Sequence, residues 1–136
     1  MKEIFVEIIT PSKSAYKGQV KSIKVPGTLG NFQVLYNHAS LMSSLEIGKI
    51  QIEDATGQHI EFATSGGTVE VRDNKVLILA DSVESADEID VERAKRAIER
   101  AKERLASRGK SDIDIIRAEL ALQRAMNRMK FVNVSY

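Results

Sequence analysis

The stretch KVLILADSVESADEIDVERAKRAIERAKERL, Lys75 to Leu105, contains the boundary that decides the fold. Its opening, KVLILA, is a short β-branched and aliphatic run of the kind that forms a strand. Past Ala80 the period changes: Val91, Ala94, Ile98, Ala101 and Leu105 recur at spacings of three and four, which places them on one face of a helix. A sheet-forming half and a helical half therefore meet near Ser85.

Toward the N-terminus the strand signal repeats. IFVEIIT, VKSIKVP, NFQVLY, GKIQIED, HIEFAT and TVEVRD each read as a strand, and KSIKV and KIQIED alternate apolar with polar residues as a sheet with one wet face does. PSKSAYKG, PGTLG, ATGQ, SGG and RDNK separate them with residues that suit tight turns. Many short strands without helices between them predict an antiparallel sandwich or flattened barrel. Toward the C-terminus, Ile115, Ala118, Leu122, Ala125 and Met129 repeat the helical spacing. Ser85 with Glu88, or Asp87, or Asp90, caps the first helix, and Ser111 the second. ASRGK between them, with Gly109 in a helix-ending position, is short enough to make an antiparallel hairpin. Both apolar stripes are rich in alanine, so the helices approach closely while burying little apolar surface against anything else. The expected fold class is α+β: an antiparallel β-sandwich over residues 1–84, then a two-helix hairpin over residues 85–136 that detaches easily.

Composition narrows the function. The 136 residues, 43% hydrophobic and 29% charged, suit one compact core with an appendage. With no cysteine, disulfides and thiolate chemistry are excluded. The opening MKEIFVEIIT carries Glu3 and Glu7 within its apolar run, which suits neither a signal peptide nor a membrane span, so a soluble chain is expected. No phosphate-cradling glycine loop and no nucleophile elbow occurs, and His38 and His59 lack metal-ligand spacing. A single loop histidine such as His38 is more often hydrogen-bonded architecture or an interface residue than a catalyst. A non-enzymatic protein is expected, with no metal. Between Met1 and Ala80 basic and acidic residues balance at 8 each, and aromatics are only 5%, which disfavours nucleic-acid binding.

The arginines are distributed unevenly. All but Arg72 lie at or after Arg93, and from Ile89 onward 12 basic residues face 7 acidic ones. Arg93 and Arg100 share a helical face flanked by Arg96 and Arg104, and Arg117, Arg124 and Arg128 share another. Guanidinium groups converging from two helices suit phosphate. The spacing equally suits a solvated helix laced with pairs such as Glu92 and Arg96.

Several segments carry a family resemblance over essentially the whole chain. VPGTLGNFQVLYNHASL (Val25 to Leu41), SGGTVEVRDNKVLILAD, IDVERA and RAELALQRAMNR resemble, in order, the successive motifs of the ε subunit of bacterial F-type ATP synthases. The resemblance implies a ten-stranded sandwich seated on the γ subunit and the c ring in the rotating central stalk. It also implies a hairpin that permits rotation when folded down and blocks ATP hydrolysis when extended toward the α and β catalytic subunits. Arg96, Arg104 and Arg108 are then the candidates for the catalytic head. Some members bind ATP in the folded state; matched by position, that site falls on Glu84, Ile89, Asp90, Arg93, Ala94, Arg100, Arg124 and Arg128, with ATP a regulatory ligand and no cofactor required. Asn31 is the candidate for a c-ring contact and His38 for the γ or c-ring interface. Gln33, Tyr36-Asn37 and Ser40 depart from the family's usual glycine, Pro-Gly and proline. The implied location is the cytoplasmic face of the bacterial membrane, reached only through the complex. A free-standing nucleotide-sensing module is the other reading the residues allow.

Overall fold

A computed structural model describes residues 2–107 and 111–133. The chain divides into two compact units, Met1–Ser85 and Ala86–Tyr136, each described by itself below.

Nine strands are present among the described residues of the first unit: β1 (Ile4–Ile9), β2 (Ser14–Gly27), β3 (Gly30–Val34), β4 (Leu41–Leu45), β5 (Gly48–Asp54), β6 (His59–Thr64), β7 (Gly67–Arg72), β8 (Lys75–Ala80) and β9 (Val83–Glu84). The 14-residue β2 organises them. Its first part pairs with β1, from Ser14 on Ile9 to Val20 on Ile4, and its last part pairs with β3, from Ile23 on Val34 to Gly27 on Gly30. It also pairs with β5 from Val20 to Lys24, with a register shift between Val20 and Ser22, and touches β4 through Gly27 on Leu45. Pairings run β1–β8–β7–β4–β2 and return to β1, a closed circuit, while β5, β6 and β9 continue from β2. That is the sandwich or flattened barrel expected.

Alternation builds its core. In β1, Ile4, Val6 and Ile8 are buried while Phe5, Glu7 and Ile9 are half-exposed; in β8, Val76, Ile78 and Ala80 point inward. Ile23, Ile50, Ile52 and Val69 complete a core made largely of β-branched side chains, which fit the pleated surface of a sheet. Two turns show why particular residues are needed. Asp73 and Asn74 have φ of 50° and 61° and join β7 to β8, the pattern of a two-residue hairpin turn that asparagine and aspartate tolerate. Gly67 has φ of 144°, and a Cβ there would collide with the Leu79 carbonyl.

Two strand-level expectations need correction, and two strands are not among those expected. Ser14–Gly18 belong to β2, so PSKSAYKG is a turn only in its first residues, where the Thr10 N–H donates to the Lys13 carbonyl at 2.9 Å. Leu41–Leu45 form β4 although Ser43 and Ser44 weaken the local signal, because the strand pairs along β7 from Leu41 on Val71 to Leu45 on Gly67. The two-residue β9 is fixed by Ala63 and Thr64 of β6. Finally, β1 runs parallel to β8, from Phe5 on Lys75 to Ile9 on Leu79; the sheet is otherwise antiparallel, and a pairing between the first and penultimate strands carries no local sequence signal.

In the second unit, α1 (Val91–Ala106) and α2 (Asp112–Phe131) follow a short 3-10 turn at Ala86–Glu88. Of the capping candidates, Asp90 is the N-cap of α1, its Oδ1 accepting from the Arg93 N–H at 3.0 Å. The Ser111 hydroxyl caps α2, accepting from the Asp114 N–H at 3.2 Å. Ala94 and Ile98 near the start of α1 pack with Ala125 and Met129 near the end of α2, supported by Val91, Ala97, Leu122 and Met126. Start meets end, so the pair is the expected antiparallel hairpin, with an alanine-lined seam.

Candidate functional site

The seam fixes where the arginines stand. Each of Arg93, Arg100, Arg117, Arg124 and Arg128 immediately precedes a buried seam residue, respectively Ala94, Ala101, Ala118, Ala125 and Met129. Arg104 likewise precedes the half-buried Leu105. One step back along an α-helix is a turn of about 100°, so all six point off the same edge of their own seam. Antiparallel helices packed seam to seam are related by an approximate two-fold axis perpendicular to the plane that contains them. Such an axis carries that edge of α1 onto the same side of the hairpin as that edge of α2, and the two arginine rows form one flank. The opposite flank holds Lys95, Lys102, Glu119 and Lys130, each one step after a seam residue, and there Glu92 pairs with Lys95 at 3.7 Å.

Along this flank the antiparallel register sets Arg93 nearest the level of Arg128, Arg100 nearest that of Arg124 and Arg104 nearest that of Arg117. No carboxylate interrupts the rows from Arg93 to Arg104 or from Arg117 to Arg128 on this side. Arg93, Arg100, Arg104, Arg117 and Arg124 are exposed and Arg128 is half-buried. Like charges set side by side repel, and donor forks in such an array suit an anion with several oxygens.

The remaining expected site residues fall in different places. Ala94 is buried in the seam, where its small side chain lets the helices approach, and Ile89 is buried as well. Asp90 commits one carboxylate oxygen to the α1 cap. Glu84 is half-buried in β9 of the first unit, its register partner Ala63. Arg96 turns roughly 60° further round α1 than the arginine row, toward the back of the helix. Arg108 lies outside the described residues.

In the sandwich, Asn31 is exposed in β3, with Pro26 its register partner. His38 is half-buried and its Nδ1–H donates to the Ala39 carbonyl at 2.7 Å, so its ring is held by its own loop. The departure at Asn37 has a structural answer. Asn37 takes φ of 65°, the left-handed conformation that glycine ordinarily supplies and asparagine tolerates. Its N–H donates to the Asn74 Oδ1 at 2.6 Å, which ties this loop to the β7–β8 turn. Large apolar side chains nearby in sequence are open to solvent: Leu29 fully, Met42 at 74%, Leu35 at 51% and Tyr36 at 40%. The sequence reading did not single out Leu29 or Met42; a leucine at the tip of the GTLG turn is the signal that was available.

Among the described residues no group of three or more His, Asp or Glu is arranged to hold a metal ion, and no helix is long and apolar enough to cross a membrane.

A mixed β-sandwich followed by a two-helix hairpin corresponds segment by segment to two family models. Residues 3–86 match the β-sandwich domain of the ATP synthase delta/epsilon chain, and residues 87–133 match its long α-helix domain. The chain therefore belongs to the ATP synthase delta/epsilon chain family, as an epsilon subunit. It is 48% identical over 103 residues to the ATP synthase epsilon chain of Pelotomaculum thermopropionicum, covering 76% of each chain. To that of Salinibacter ruber it is 43% identical over 111 residues, covering 76% of this chain and 74% of the other. In fold it is similar to a chain of the Euglena gracilis mitochondrial ATP synthase (OSCP/F1/c-ring), with a TM-score of 0.81 at 23% identity over 93% of this chain and 79% of that one. A chain from the central stalk and c ring of the Tetrahymena thermophila enzyme gives a TM-score of 0.66 at 16% identity, over 97% of each.

Proposed function

We propose that this subunit is a non-catalytic regulator and coupler in a rotary ATP synthase at the cytoplasmic face of the bacterial membrane, attached there only through the complex. The sandwich meets the γ subunit and the c ring, with Asn31, His38 and the exposed Leu29, Leu35, Tyr36 and Met42 as the contact candidates. The hairpin inhibits ATP hydrolysis when extended toward the α and β subunits and binds ATP when folded. Arg93, Arg100, Arg124 and Arg128 hold the phosphates. Asp90 has one carboxylate oxygen committed to the helix cap, and its other oxygen offers an acceptor. Ile89 and Ala94 shape the site by packing.

The observation that carries this reading is the meeting of the two arginine rows on one flank of the hairpin. Because that site needs both helices in place, ATP bound there favours the closed hairpin by mass action; at a hundredfold excess over its dissociation constant the gain is about 2.7 kcal/mol. An alanine seam gives a small gap between states, which a ligand of that strength can bias.

Calorimetric titration of the purified chain with ATP tests the site: heat is expected with the unaltered protein and none with Arg93→Ala or Arg124→Ala. Absence of heat at millimolar ATP rejects the sensor and leaves the stalk role standing. Removing residues 90–136 is expected to raise hydrolysis by the assembled enzyme; an unchanged rate rejects inhibition by the hairpin.

A further inference from the structure

We propose that the arginine flank is a longer anion site than a nucleotide triphosphate fills, and that it takes linear inorganic polyphosphate. The proposal rests on the same four arginines read above as the nucleotide site. It adds Arg104 and Arg117, which share their flank and stand opposite each other beyond Arg100.

From Arg93 to Arg104 the row runs eleven residues, about 16 Å at the helical rise. A triphosphate is too short to reach from the Arg93 and Arg128 end to the Arg104 and Arg117 end, whereas a longer phosphate chain lies along the whole row. The repeating charge of such a chain, one anionic phosphate after another, matches a row of guanidinium forks without an intervening carboxylate. Among the described residues no ion pair engages Arg104 or Arg117. Asp114, one turn before Arg117, accepts from the Ser111 hydroxyl at 3.0 Å at the start of α2. Arg96, at the back of α1, is not part of the row. Occupation of Arg104 by polyphosphate would also withdraw one of the basic residues assigned above to the catalytic head, so the ligand acts against the extended state twice, by closing the hairpin and by masking that contact.

The test uses the full-length chain at constant ionic strength, titrated separately with ATP, with inorganic triphosphate and with a polyphosphate of defined length near ten phosphates. Polyphosphate is expected to bind about tenfold more tightly than triphosphate, the scale of one added charge-assisted contact. Arg104→Ala with Arg117→Ala should abolish that advantage and leave triphosphate affinity unchanged. Arg104→Ala alone should weaken that advantage, and Arg96→Ala, an equal loss of one charge from the back of the helix, should leave it intact. Equal affinity for the two chain lengths overturns the proposal. So does an Arg96→Ala effect as large as that of Arg104→Ala, because net charge alone would then be at work. ATP binding lost in Arg93→Ala without any dependence on phosphate chain length would keep the nucleotide reading and remove this one. Polyphosphate binding without ATP binding would do the reverse.

Discussion

The two units of this chain hold themselves together by different means. The sandwich core is built from isoleucines and valines with essentially no exposure, among them Ile4, Ile23, Ile50 and Ile78, on strands joined in a closed circuit. The hairpin seam rests on Ala94, Ile98, Ala101, Ala118, Ala125 and Met129. Burial of apolar area is worth about 25 cal/mol per Å², and an alanine offers far less area than an isoleucine. The first unit is therefore the more heavily anchored of the two, and the second is held by much less buried apolar area.

The largest expected effect lies in the sandwich. Ile23, with 0% exposure, has Val34 and Ile52 as register partners on either side, in β3 and β5. Ile23→Ala should therefore cost about 2–5 kcal/mol, as large-to-small changes in a close-packed core do. Urea unfolding followed by a probe of the sheet measures it, and a loss below 1 kcal/mol would mean that the core is not shared across β2. In the hairpin the comparable change is an addition. Ala125→Leu forces a larger side chain into a seam where the native residue has 0% exposure, at a cost of about 1–3 kcal/mol. The expected result is a loss of helical circular dichroism and of hydrogen-exchange protection in residues 91–131, with the sandwich transition unmoved. A parallel loss in both units would show that they unfold as one and would end the contrast.

Much of this contrast was legible in the sequence, for definite physical reasons. Alternation in KSIKV and KIQIED put Ile23 with Val25, and Ile50 with Ile52, on one face, and all four are buried, because a strand's side chains change face at every residue. Spacing of three and four found the seam, except that Ile115, expected in the α2 stripe, is exposed. What stayed hidden depended on distant partners: β4 exists because β7 offers it a ladder, and the parallel match of β1 to β8 joins residues some seventy positions apart. The same holds for the candidate site. Each helix's arithmetic placed its arginines on one face, but whether the two faces coincide depends on the antiparallel packing of Ala94 and Ile98 with Ala125 and Met129. The asparagine clasp between Asn37 and Asn74 was likewise invisible to local reading, since its members are 37 residues apart.

The smallest expected effect concerns acid, and it too separates the units. At the β5–β6 turn the Asp54 Oδ1 accepts from the Thr56 hydroxyl at 2.7 Å and from the N–H groups of Thr56 and Gln58 at 2.9 Å each. The Thr56 hydroxyl bond above all, opposed by desolvation and helped by the individually weaker backbone donors, holds the Asp54 carboxyl below its ordinary value. A carboxyl depressed in the folded state favours folding fully above its unfolded pKa, and that contribution disappears as pH falls through the lower folded value. Asp54→Asn removes the charge and keeps the turn's size. Urea midpoints of the sandwich should differ between the two proteins near neutrality, and the gap should narrow only below about pH 4, the ordinary carboxylate range. The hairpin's helical signal should not register the substitution at any pH. A gap that stays constant down to the lowest pH would show that Asp54 stabilises the turn through shape and not through its ionised form.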